Sequence, residues 1–315
     1  SNGQEYVRYA GMDQAAPAIS MLLSPIVAGF VNTRFGLQGA FLLEFATFAA
    51  ATIATLATAV PDSNSNAGSG KAAAGGAVGS EAAAMWTDAA EVWGFIRVRP
   101  GLVGLLLLLA NGHFSSGLVQ VLMMPVLLNL GGADVLGYVL SASGTGAVVG
   151  AAAVYALSGP RHRRAPTVLA CAALQGLLLA GCGVARSPAA ILALAFCYMA
   201  VIPLNRASRD AVWQQKTPAA MHGRVFGLQR TVAELAAPLA ALAAGLLADG
   251  FFEPWLREPD GLLVGTAGVL VGTGTGRGAA LLFVAAGLAN VGAAAVGAAW
   301  RPLWRVDLDL PDADD

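Results

Sequence analysis

GRVFGLQRTVAELAAPLAALAAGLLADG, residues Gly223–Gly250, opens with Arg224 and Arg230 and then runs from Leu235 to Ala248 without a charged side chain. A helix of that composition has no polar face to turn to water, as a soluble core helix of the same length would. The start of the chain carries a fainter copy, RYAGMDQAAPAISMLLSPIVAGF, from Arg8 to Phe30. At a constant offset of 216 residues Arg8 falls on Arg224, Gly11 on Gly227, Leu23 on Leu239, Ala28 on Ala244 and Gly29 on Gly245. The alanine and leucine matches are cheap in so apolar a chain. Arg-x-x-Gly followed by a glycine eighteen positions on is harder to reach by chance, and the two stretches read as corresponding helices of two related halves.

The 315 residues are 57% hydrophobic and only 12% charged, far from soluble composition. The apolar residues are gathered into uncharged runs at Phe45–Pro61, Pro100–Ala133, Val135–Pro160, Ala165–Ala185, Ser187–Asn205 and Gly278–Trp300. Most reach the ~20 residues that a helix needs to cross ~30 Å of hydrocarbon. The fold class is therefore an all-α polytopic membrane protein with eight transmembrane helices, at Gln14–Val31, Gly39–Val60, Val103–Leu127, Leu136–Leu157, Thr167–Val184, Ala189–Asn205, Thr231–Asp249 and Ala280–Trp300. No secretory signal is visible and Ser1 is not an initiator Met, so the chain reads as a piece of a longer product.

Residues 61–99 divide the spans. SNSNAGSGKAAAGGAVGSEAAA reads as a flexible linker. In the segment after it Met85, Trp86, Ala89, Val92, Trp93 and Ile96 recur at helical spacing opposite Glu81, Asp88 and Glu91, the pattern of an amphipathic helix in the membrane interface. With both ends of the chain cytoplasmic, fourteen of the 18 basic residues fall on the cytoplasmic side, and only Arg34, Arg186, Arg257 and Arg277 on the other. That is the asymmetry expected of an inserted helical protein.

Taken in order, RPGLVGLLLL and VLMMPVLL within Arg99–Leu128, GYVLSASGTGAVVG and GPRHRR within Gly137–Arg164, NRASRDAVWQQKTPAAMHGRVFGLQR at Asn205–Arg230, PLAALAAGLLAD, FEPWL, GTGTGRGAALLF and the closing RVDLDLPDA resemble the drug:proton antiporter, macrolide-efflux-like branch of the major facilitator superfamily. The resemblance implies a twelve-helix bundle in two halves, of which this chain carries helices five to twelve, the first four being absent. Residues 1–60 would then be the last two helices of the N-terminal bundle, 61–99 a cytoplasmic linker, 100–306 the six-helix C-terminal bundle and 307–315 an acidic cytoplasmic tail. It also implies a secondary transporter that exports small amphiphilic compounds in exchange for protons by alternating access. The alternative is a non-transporting remnant or assembly subunit of a transporter.

Polar side chains in lipid mark function or helix contacts. His113, Ser116 and Gln120 share one helix face, with Met124 beyond them, and Tyr138, Ser141 and Thr145 repeat the spacing, as do Ser20 and Ser24 near the start. These stripes are the candidate substrate pathway, with interhelical hydrogen bonding as the competing reading. Asn111 and Asn205 are lesser candidates for the same role. Glu234 and Glu44 are candidate proton carriers, and Arg206, Arg209, Asp210, Arg224 and Arg230 a candidate cytoplasmic gate. Gly146-x-x-x-Gly150 reads as a helix contact. Cys171, Cys182 and Cys197 lie unpaired in apolar runs, and the three histidines are scattered, so no metal or cofactor is expected. The glycine string Gly272–Gly278 lacks a following Lys-Ser/Thr and a preceding strand, which argues against nucleotide binding. No nucleophile–base pair suggests an enzyme. The expected partners are the bilayer, a small-molecule substrate, protons and the missing N-terminal helices, with no nucleic acid.

Overall fold

The computed structural model describes residues 31, 34–35, 38–39, 41–56, 78–156, 163–252, 254, 271–272 and 277–310. They form helices with no strand among them, in two compact units, the smaller covering Ile19–Trp86 and the larger including Thr87–Asp315. In the smaller unit α1, Phe41–Leu56, is an apolar helix with Phe41, Phe45, Phe48, Ile53 and Leu56 exposed. Thr47, Thr52 and Thr55 return their hydroxyls to the carbonyls of Glu44, Phe48 and Ala51, at 2.8–2.9 Å. Those bonds remove three donors that hydrocarbon could not satisfy. The expected span Gln14–Val31 lies outside the described residues apart from position 31.

The larger unit holds the end of α2, Val78–Arg97, and six helices long and apolar enough to cross a membrane: α3 Pro100–Leu128, α4 Asp134–Ala156, α5 Arg164–Val184, α6 Pro188–Lys216, α7 His222–Phe252 and α8 Arg277–Ala299. Between α3 and α4 the chain turns at Gly132, whose φ of 78° only glycine adopts without strain. Ser187 caps α6, its Oγ accepting from the Ala190 N–H at 3.2 Å, with Pro188 in the first helical position. Two helices are longer than their expected spans. α6 continues eleven residues past Asn205, and α7 starts nine before Thr231. Arginine is a good helix former, so a charge that ends an apolar run does not end the helix.

Small residues set the helix contacts, as close approach is the main source of association in lipid. A Cβ at Gly146 or Gly150 on α4 would meet the carbonyls of Phe196 and Ala200 on α6, so the spacing Gly-x-x-x-Gly is a packing seam. α5 and α8 meet at Gly176 against Gly287 and at Gly183 against Ala280, and Gly117 of α3 lies on Ala237 and Ala240 of α7.

Two polar clasps add to the seams. Asn111 Nδ2 donates to Asn290 Oδ1 at 2.5 Å, and Asn290 Nδ2 donates to the buried Ser115 Oγ at 2.9 Å, tying α3 to α8. Asn205 Nδ2 donates to Gln175 Oε1 at 2.6 Å, tying α6 to α5. Asn111 and Asn205 therefore hold helices together. Replacing Asn290, which is 6% exposed, by Leu strands both partners and is expected to lower stability in detergent by about 1 kcal/mol. An unfolding titration in denaturing detergent reads this, and an unchanged midpoint would show the clasp to be idle.

At the arginine-rich end Val92 and Ile96 of α2 are buried in one core with Leu102, Leu105, Val212, Trp213, Val225, Leu303 and Val306. The last two belong to the short helices α9, Arg301–Trp304, and α10, Val306–Asp309, which fold back as a hook. Asp307 Oδ2 accepts from the Ala165 N–H at 2.8 Å, capping α5. The buried Lys216 ammonium donates to the Asp307 and Leu310 carbonyls at 3.0 and 2.5 Å. Residues 307–309, assigned on sequence to the acidic tail, are the end of this hook.

Candidate functional site

Two helices, α3 and α4, carry the candidate pathway residues that the structure describes. On α3, Gln120 and Met124 are exposed, while His113 and Ser116 are half-buried above them on the same face. Ser116 is hydrogen-bonded to the hydroxyl of Tyr198, a buried residue of α6 that sequence reasoning overlooked. On α4, Tyr138, Ser141 and Thr145 are all exposed, and the Thr145 hydroxyl donates to the Ser141 carbonyl at 2.9 Å. Ser20 and Ser24 lie outside the described residues.

The longer α7 changes the position of Glu234. The expected span Thr231–Asp249 puts Glu234 about four residues in, whereas the helix His222–Phe252 is centred on residue 237 and Glu234 is three residues from its middle. Glu234 pairs with Arg230 one turn earlier at 3.8 Å, with the side chains 73% and 83% exposed. His113 of α3, at the middle of its own helix but one residue, feels the charges of Arg209 and Arg206 on α6 and of Glu234 on α7. Two guanidinium groups on α6 and one carboxylate on α7 thus lie within electrostatic reach of one imidazole on α3.

Exposure here carries physical content. An ionised group facing hydrocarbon costs about 2.5–3.5 kcal/mol even on lenient scales. Leu235, Leu239, Leu242 and Leu246 form a separate exposed stripe on α7, about a third of a turn away from Arg230 and Glu234. The leucine stripe suits lipid. The face with Arg230 and Glu234 suits water or protein instead, and Arg206 on α6, 59% exposed, has the same requirement.

The gate candidates separate into distinct pairs. Asp210 lies 3.7 Å from Arg206 and 3.5 Å from Arg209, all on α6, and Arg230 pairs with Glu234 on α7. Arg224 reaches Glu91 of α2 at 2.7 Å, a partner that was read only as part of a polar helix face. Glu91 is the acid nearest the C-terminal end of α2. Glu44, on α1, is exposed. Among the described residues no group of three or more His, Cys, Asp or Glu could hold a metal ion. Cys171 and Cys182 are buried free thiols and Cys197 an exposed one.

Six apolar helices among the described residues, joined by small-residue seams, describe an integral multi-pass membrane protein. No curated protein and no solved structure matches the chain. The family model of the Major Facilitator Superfamily matches residues 2–241, three quarters of its length, and the chain belongs to that superfamily of membrane transporters.

Proposed function

We propose that the protein is a proton-coupled exporter of small amphiphilic compounds, of the drug:proton antiporter branch. The observation that carries this reading is Glu234, an exposed carboxylate near the middle of a membrane helix and in electrostatic reach of His113 on another. A carboxylate so placed can take a proton from one side and release it to the other, and a neighbouring imidazole offers a second protonation site.

The substrate pathway in this reading runs along His113, Ser116, Gln120 and Met124 on α3 and Tyr138, Ser141 and Thr145 on α4. A mixture of hydroxyls, one amide and a soft thioether suits ligands with both polar and greasy parts. Arg206, Arg209 and Asp210 with Arg224 and Arg230 form the cytoplasmic gate, whose ion pairs exchange as access alternates. Glu44 is a second candidate for proton coupling. Uptake of a fluorescent amphiphilic cation into inverted vesicles under an imposed proton gradient tests the reading. Accumulation that collapses with a protonophore supports it, and accumulation indifferent to the gradient overturns the coupling.

Both ends of the chain lie on the cytoplasmic side in this reading. In intact cells Arg257→Cys is expected to react with an impermeant maleimide and Arg163→Cys only after permeabilisation. The reverse pattern would invert the topology.

A further inference from the structure

An open groove of about 460 Å³ runs between α5 and α8, on helices that carry none of the pathway candidates. Pro166, Leu169, Ala170 and Ala173 form one wall, Val291, Ala294, Ala295 and Ala298 the other, and Trp304 of the hook closes its end. Its lining is apolar throughout apart from the indole N–H. A groove of this kind in a membrane protein is filled by the surrounding solvent, which is the acyl chain of a lipid.

The ends of the groove say which lipid. Arg164 stands two residues before Pro166 at the start of α5, and the exposed Arg163 precedes it in the left-handed conformation, φ 57°, rarely held by a residue other than glycine. Arg301, also exposed, comes three residues after Ala298 and opens the short helix that carries Trp304. The acids nearby are engaged: Asp307 accepts from Ala165, and Asp309 lies 3.6 Å from Arg305, whose guanidinium lies over the Trp304 ring. An indole at the groove mouth beside arginines is the arrangement found at headgroup depth.

We propose that this groove is a binding site for an anionic phospholipid, one acyl chain lying along the alanine wall beneath Trp304 and the phosphate held by Arg163 and Arg301. The site is separate from the transport pathway and depends only on the protein being inserted in a bilayer. Each arginine near an anionic surface contributes enough for about a fivefold preference, so two give a preference of roughly 25-fold over a zwitterionic lipid.

Trp304 supplies the readout. The full chain and its Trp304→Phe variant are reconstituted in phosphatidylcholine nanodiscs containing increasing fractions of phosphatidylglycerol or phosphatidylcholine with brominated acyl chains, and the difference in quenching isolates the Trp304 signal. Brominated phosphatidylglycerol is expected to quench at a mole fraction roughly tenfold or more below that of brominated phosphatidylcholine. The double substitution Arg163→Ala and Arg301→Ala should bring the two curves together. Ala295→Phe, at an exposed position on the groove wall, should weaken quenching by both lipids. Inorganic phosphate should not displace the lipid, whereas displacement would mean a plain anion site and overturn the proposal. Coincident curves in the unsubstituted protein overturn it as well. Each variant is first shown to elute as the parent does, and if the double variant does not, single Arg301→Gln replaces it, with half of the logarithmic preference expected to go.

Discussion

Glu234→Gln is expected to bring proton-driven transport down to the level of empty vesicles while leaving insertion and folding intact. The amide keeps the shape and hydrogen-bonding size of the carboxyl but cannot exchange a proton, so the step that couples the gradient to the solute is removed. The structural cost is small. Glu234 and Arg230 are one turn apart, 3.8 Å between charges, and both largely exposed, and such pairs contribute about 0.3–0.5 kcal/mol. A variant that still binds substrate and exchanges it at equal concentrations on both sides, yet fails to concentrate it, identifies coupling as the lost function. Unchanged accumulation would remove Glu234 from the mechanism. The same assay on Glu44→Gln ranks the two acids.

The second large effect is expected at a residue with no chemistry. Gly150→Leu places a side chain where the first carbon already meets the carbonyl, carbonyl carbon and Cα of Ala200, none of which can rotate away. α4 and α6 must then separate along the whole seam, since Gly146 lies one turn earlier against Phe196. Overpacking of a rigid contact costs about 1–3 kcal/mol and occasionally more, which here is expected to leave little monodisperse protein on size-exclusion in detergent. Gly292→Leu on the exposed side of α8 is the matched control, because nothing lies within 4 Å of a Cβ there. Normal elution of the Gly150 variant would mean that the α4–α6 seam is looser than drawn.

The fold class was readable because its determinant is additive. Each of the six long helices announces itself through a run of residues that water would reject, and the Gly146-x-x-x-Gly150 contact through spacing alone. The limits of the helices were less legible. The expected spans ended at Asn205 and began at Thr231, yet α6 and α7 extend through Arg206, Arg209, Arg224 and Arg230, since hydropathy reports the solvent and backbone hydrogen bonding reports the helix. That difference places Glu234 within three residues of the middle of its helix, where the expected span had put it near one end.

What the sequence by itself determined was membrane insertion, the number and order of the long helices in the larger unit, and the helix faces on which polar side chains recur. Periodicity and transfer free energy act within one helix and need no partner. Only the tertiary structure decided what each polar group does: Asn111 and Asn205 close clasps on Asn290 and Gln175, Arg224 turns to Glu91, and His113 comes within reach of Arg209, Arg206 and Glu234. Such pairings depend on which helices are neighbours and how they are rotated. Those choices are made by glycine and alanine contacts between segments far apart in the chain, about which each segment alone is silent.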